Sequence, residues 1–229
     1  DRLRYVYLSQ RARAEAETRE AIFAHYRAKA PVRPGRRNRP IRLAERALEK
    51  LTPLGQATIL AQSGVWRGGD LAAMAAYARR GADPAARPQA LFDQTWYLRA
   101  NPDVGQAGMS PLVHYLLRGG DEGRSPHPLF DGRAYRHNNA HALAQTGLTP
   151  LAHFVRIGAA EGRNPHPLFD LAWYVAQAPD LIGSGENPVD HYLRTGAEEG
   201  LSPHRLFQPD YYRRQLPASE QSANPLVHY

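Results

Sequence analysis

The strongest constraint in this chain of 229 residues is a phrase that it repeats. "GRSPHPLFD" at 123–131 returns as "GRNPHPLFD" at 162–170 and as "GLSPHRLFQ" at 200–208. Phe92, Phe130, Phe169 and Phe207 fall 38, 39 and 38 residues apart, while His114, His153, His191 and His228 fall 39, 38 and 37 apart. A period of this size means that each unit is one supersecondary piece, burying its apolar face on its neighbours. A degenerate unit comes first. "AYARRGADPAARPQALFD" (76–93) aligns without a gap on "HYLLRGGDEGRSPHPLFD" (114–131), keeping Tyr77, Gly81 and Asp83 but losing the histidines. A drifting terminal unit is expected where an array meets something else.

Inside a unit the local signals are helical. Ser110, Thr149, Asn187 and Asn224 are N-cap residue types, and each precedes a proline, which suits the first helical position. Helices of about nine residues should follow, ending at Gly119, Gly158 and Gly196 in left-handed C-caps. Asp93, Asp131 and Asp170 should cap a second helix bearing the aromatic pair, and "NPDV" (101–104) and "APDL" (178–181) should stop or bend it. Strand signals are nearly absent. The expected fold is all-α: an array of short helical repeats of about 38–39 residues behind a basic helical leader.

The expected organisation has four parts. Residues 1–29 form the leader, with Ile22, Phe23 and Tyr26 on one side of a highly charged segment. Residues 30–40, "APVRPGRRNRP", read as a Pro/Arg-rich linker. Residues 41–63 form a helix leading into the array, which occupies 64–229 with units starting near 92, 130, 169 and 207, the last one truncated. The chain opens on Asp1 and stops inside a repeated phrase, so a piece of a longer polypeptide is expected.

Charge is concentrated at the front. Residues 1–50 hold 14 Lys/Arg against 6 Asp/Glu, a net of +8, whereas 51–229 hold 15 against 16, a net of −1. Arg33, Arg36, Arg37, Arg39 and Arg42 are therefore the candidate anion contacts, for an anionic membrane surface in preference to nucleic acid. No cysteine is present, which removes disulfides and thiolate metal sites. Neither of the two lysines, Lys29 and Lys50, follows a glycine-rich turn, so a P-loop is excluded.

The repeated histidines invite a metal reading, which the repeat itself opposes. A metal site needs three or four ligands converging on one point, and a repeat translates each ligand along the array. His114, His153, His191 and His228 are expected to hydrogen-bond the adjoining glycine loop, and His127, His166 and His204 to tie down the proline loops. Phe92, Phe130, Phe169 and Phe207 are read with them as structural, Phe130, Phe169 and Phe207 each plugging the junction between neighbouring units. Trp96, Tyr97, Tyr135, Trp173, Tyr174 and Tyr212 are the candidate glycan or partner contacts. For most of them the repeat core is the favoured role, since a short helix pair needs large side chains to bury enough area. No catalytic residue, metal or cofactor is assigned.

The stretch "FDQTWYLRANPDVGQAGMSPLVHYLLRGGDEGRSPHPLFD" (92–131) resembles a repeat of roughly forty residues found beside catalytic domains in bacterial glycosyltransferases and related cell-surface polysaccharide proteins. The resemblance covers 64–229, with Leu201 where arginine is usual and Gln208, Pro209 and Asp210 where a simple Asp is usual. It implies a non-catalytic module that positions a catalytic domain of the same polypeptide, a partner protein or a glycan. The implied compartment is the cytoplasm, with the inner face of the membrane as the alternative for the leader. A His/carboxylate enzyme within the repeats, and attachment through the arginine-rich leader, are the rival functions. No Asp-x-Asp, Gly-x-Gly-x-x-Gly or alternating β/α pattern marks a transferase domain here.

Overall fold

The computed structural model describes residues 13–21, 23–24, 52–66, 71–80, 88–106 and 110–229. Arg33, Arg36, Arg37, Arg39 and Arg42, the 30–40 linker, the 41–51 segment, Ile22 and Tyr26 lie outside them. The chain is all-α. Residues 13–21 are helical, and α1 (Pro53–Ser63) and α2 (Leu71–Arg80) pack together ahead of the full repeats. The expected 41–63 helix does not run unbroken, because Thr52 is extended and its hydroxyl caps a new helix at Gly55 N–H, with Pro53 in the first turn. The Thr52 and Pro53 pair is the same start signal as in the repeats.

Each repeat uses the same parts. In the first unit, α3 (Gln94–Ala100) breaks at Asn101 and restarts as α4 (Pro102–Gln106); α5 (Pro111–His114) then widens into a π-turn over Tyr115–Gly119. The second unit has α6 (Gly132–Asn138), α7 (Ala140–Thr146), α8 (Pro150–His153) and a π-turn over Phe154–Gly158. The third has α9 (Leu171–Gln177), α10 (Leu181–Ser184), α11 (Pro188–His191) and a π-turn over Tyr192–Gly196. The fourth unit contains α12 (Pro209–Arg213) and α13 (Pro225–His228). Asp93, Asp131 and Asp170 cap α3, α6 and α9 through Oδ1 to the N–H groups of Trp96, Ala134 and Trp173, at 2.9, 2.9 and 3.2 Å.

The core is a row of aromatic triads. Phe130 packs on Tyr135 at 5.0 Å and on Phe154 at 5.6 Å, and Phe169 packs on Tyr174 and Tyr192 at 5.3 Å each. Phe92 with Tyr97 and Tyr115, and Phe207 with Tyr212 and Tyr229, repeat the arrangement. The ring partners of the recurrent phenylalanines belong to their own units, and all four rings are buried in the continuous core. Backbone groups and tyrosine hydroxyls join neighbouring units. Tyr77 Oη accepts from Leu112 N–H at 3.4 Å, and Tyr115 Oη accepts from Leu151 N–H at 3.3 Å, 36 residues on.

Two sequence expectations need correction. Ser110 and Thr149 stand at N-cap positions, but their side chains make no cap hydrogen bond. The preceding unit's tyrosine takes that role. Phe154 has no hydroxyl to offer, and there Asn187 Oδ1 accepts from Val189 N–H at 3.0 Å. Gly119, Gly158 and Gly196 are not left-handed either; in the loops that follow them the positive φ angles are at Gly123, Gly162 and Gly200, +74°, +70° and +78°. A Cβ on Gly119, Gly158 or Gly196 would lie 2.2, 2.1 or 1.9 Å from the hydroxyl oxygen of Tyr97, Tyr135 or Tyr174. These three are glycines because a tyrosine occupies the side-chain space.

Among the described residues, no helix is long and apolar enough to cross a membrane.

Candidate functional site

The histidines of the xPxxH phrase end in hydrogen bonds to tyrosine, not to the glycine loop as expected. Tyr97 Oη lies 3.1 Å from His114 Nδ1, Tyr135 Oη 2.8 Å from His153 Nδ1, Tyr174 Oη 2.7 Å from His191 Nδ1, and Tyr212 Oη 2.9 Å from His228 Nδ1. The α5, α8 and α11 turns present His114, His153 and His191 to a tyrosine on the first helix of the same unit, α3, α6 and α9 respectively, and the π-turn glycine lets the hydroxyl in. Burial pushes the His153 pKa down to about 4, and the neighbouring Arg163 charge adds to the effect. Burial lowers His114 in the same way and raises Tyr97, Tyr135 and Tyr174. A neutral imidazole with Nδ1 engaged, beside a phenol held protonated, is poorly arranged as a nucleophile–base pair.

The loop histidines do tie down backbone. Nδ1 of His127, His166 and His204 accepts from the N–H of Leu129, Leu168 and Leu206 at 3.0, 3.1 and 3.1 Å. Among the described residues no group of three His, Cys, Asp or Glu is placed to hold a metal ion.

The candidate contact aromatics divide by exposure. Tyr97, Tyr135 and Tyr174 are buried, with hydroxyls engaged, so they are core residues and not glycan or partner contacts. Trp96 and Tyr212 are half-buried, and Trp173 is 38% exposed. The Arg205 guanidinium sits over the Trp173 ring at 5.7 Å and lies 3.7 Å from Glu15 of the leader.

A polar clamp recurs on the outer side of the first two units. Arg124 donates from Nε to Glu122 at 2.6 Å and from Nη1 to Asn101 at 3.1 Å and Asp103 at 2.9 Å. Arg163 donates from Nε to Glu161 at 2.6 Å and from Nη1 to Asn139 at 2.7 Å. Asn101 and Asn139 also donate to the carbonyls of Tyr97 and Tyr135, both at 2.8 Å, tying each clamp to the core tyrosine. The third unit has Ala178 and Leu201 at the two positions, both partly buried against the core. The unusual Leu201 is therefore matched by loss of its asparagine partner. That paired change was the available sequence signal for the clamp, and residue-type reasoning alone missed it.

The leader meets the array beside the second clamp. Phe23 is buried with its ring against Gly162, where a Cβ would lie 2.5 Å from ring carbons, and Arg19 donates from Nη2 to the Gly162 carbonyl at 2.5 Å. In the preceding unit the equivalent Gly123 is covered by Arg133, whose Cγ would be 3.1 Å from an added Cβ. Three residues after Phe169, where Arg133 would recur, stands Ala172. The shorter side chain leaves the space that Phe23 fills.

The chain matches no protein-family model, no curated protein and no solved structure.

Proposed function

We propose that this chain is a non-catalytic helical repeat module of a bacterial glycosyltransferase or cell-surface polysaccharide protein, holding a catalytic domain, a partner protein or a glycan along an extended face. The observation that carries the non-catalytic part is the fourfold Tyr–His pairing, which commits the most chemically capable side chains to the fold. The glycan context rests on the repeat phrase of 92–131. Trp96, Trp173 and Tyr212 are the aromatic contacts this reading retains, since they alone of the six present outward surface.

Affinity electrophoresis in gels containing bacterial surface polysaccharide tests the reading. The chain should be retarded, and Trp96→Ala with Trp173→Ala should reduce retardation without loss of helicity. Turnover of a sugar nucleotide or polysaccharide by the chain alone, abolished by His153→Ala in a variant that stays folded, would reject it. A second reading, attachment of the leader to anionic membrane, is favoured by its net +8 over residues 1–50. Cosedimentation with anionic vesicles should then weaken steeply with salt, as screening shortens the reach of the arginines. Retention that does not respond to salt would reject that second role.

A further inference from the structure

The second unit carries a cleft of about 420 Å³ lined by Arg19, Asn138, Asn139, Glu161, Arg163 and Asn164. We propose that this cleft binds a small polar molecule through a carboxylate group, held by Arg163 with Arg19. The proposal does not depend on the scaffold reading.

The first unit shows what is missing from the second. There, the Arg124 fork is filled by Glu122 on Nε and by Asn101 together with Asp103 on Nη1. The second unit repeats the glutamate and the asparagine on Arg163, but the position of Asp103 is held by His141. The imidazole Nε2 of His141 lies 2.9 Å from Gln145 Nε2, within its own helix. Arg163 therefore lacks the carboxylate its counterpart receives, and the cleft opens beside it.

Charge changes in the same sense. Arg124, Arg133, Glu122 and Asp103 sum to 0, whereas Arg163, Glu161 and the leader's Arg19 sum to +1. A planar carboxylate accepts two parallel N–H groups from a guanidinium, a geometry that chloride cannot reproduce. The Arg163 side chain is 33% exposed, so the site is partly screened from solvent yet reachable. The cleft is larger than a lone carboxylate requires and falls within the range of about 300–1,000 Å³ typical of small-molecule sites. The Asn138 side chain and the Asn164 side-chain amide nitrogen, both on exposed residues, face the cleft for the rest of such a ligand, while Asn164 Oδ1 accepts from Leu171 N–H at 3.1 Å.

The experiment titrates the full chain with sodium succinate, and separately with sodium sulfate and sodium chloride at matched ionic strength. The readouts are the Arg163 Nε–H and Asn139 side-chain amide resonances. Succinate should give a saturable shift in roughly the millimolar range, the scale of a few charge-assisted contacts. Arg163→Gln should weaken it at least tenfold and Arg19→Gln severalfold. His141→Asp supplies the carboxylate from within the chain, as in the first unit, and should abolish succinate binding while the melting temperature holds or rises. Because that variant restores an arrangement the protein already uses, it remains informative should Arg163→Gln fail to fold. An unchanged succinate curve in His141→Asp, or equal responses to succinate, sulfate and chloride, would overturn the proposal.

Discussion

Replacing Gly158 with alanine should expose the Tyr135–His153–Gly158 contact as one unit. The added Cβ would sit 2.1 Å from Tyr135 Oη, well inside contact distance, so the phenol must retreat by an ångström or more and release His153 Nδ1. Overpacking of this kind costs about 1–3 kcal/mol. The buried imidazole nitrogen, left without its partner, costs about a further 1–3 kcal/mol. Gly158→Ala should therefore lose about 2–6 kcal/mol by those two estimates together. Tyr135→Phe alone should lose about 1–3 kcal/mol, from the same orphaned nitrogen. In the double variant the severe clash is gone, because the remaining neighbours of the new methyl, His153 Nδ1 and the ring carbon, lie at 3.3 and 3.4 Å, which a shift of a few tenths of an ångström relieves. The double variant should thus be no less stable than Gly158→Ala alone, a strongly non-additive cycle. Urea unfolding followed by far-ultraviolet circular dichroism measures all four corners. Additive losses would refute the claim that glycine is present to admit the hydroxyl.

Three further expectations rest on the same packing. His153 has a folded pKa pushed to about 4 against an ordinary 6.5, so the unfolded chain binds the proton more readily between those values. At 1.36 kcal/mol per pH unit between the two values, about 3 kcal/mol of stability is fully present above pH 6.5 and declines as pH falls toward 4; urea midpoints across that range should show the slope, and His153→Gln should reduce it. Phe169→Ala should cost about 3–5 kcal/mol, since the ring is buried between two tyrosines; a variant that melts like the parent would remove the triad as the core. Phe23→Ala, or Ala172→Arg to fill the space as Arg133 does one unit earlier, should release the leader helix; amide exchange at residues 13–21 should accelerate while the array's melting temperature holds.

Much of the fold was legible because periodicity and capping chemistry are local. The spacing of Phe92, Phe130, Phe169 and Phe207 located the units, and Asp93, Asp131 and Asp170 cap the helices they were expected to cap. What escaped depends on contacts between distant positions. Gly158 resembles a C-cap in sequence, and only the approach of Tyr135 from 23 residues earlier explains it. Likewise the N–H of Leu151 is served from Tyr115 in the previous unit, so Thr149 looked like a cap that it does not supply. The leader's Phe23 was recognisable as apolar, but its seat on Gly162 depends on Ala172 having replaced a longer side chain. Of the candidate contacts, Tyr97, Tyr135 and Tyr174 take the core role and stand at the centre of their units. The clamps at Arg124 and Arg163 went unrecognised because arginine in a loop carries no signal until its asparagine partner is compared across units.

The central claim is that the repeated histidines belong to the fold, and imidazole nitrogen spectroscopy tests it most directly. Long-range ¹H–¹⁵N correlation spectra at pH 7 should show His114 and His153 neutral, with Nδ1 unprotonated and accepting from tyrosine and the proton on Nε2. The pattern should be the same after addition of a chelator or of zinc. Protonated Nδ1 atoms, or coordinated shifts of several of these histidines on adding zinc, would contradict the account and return them to chemistry.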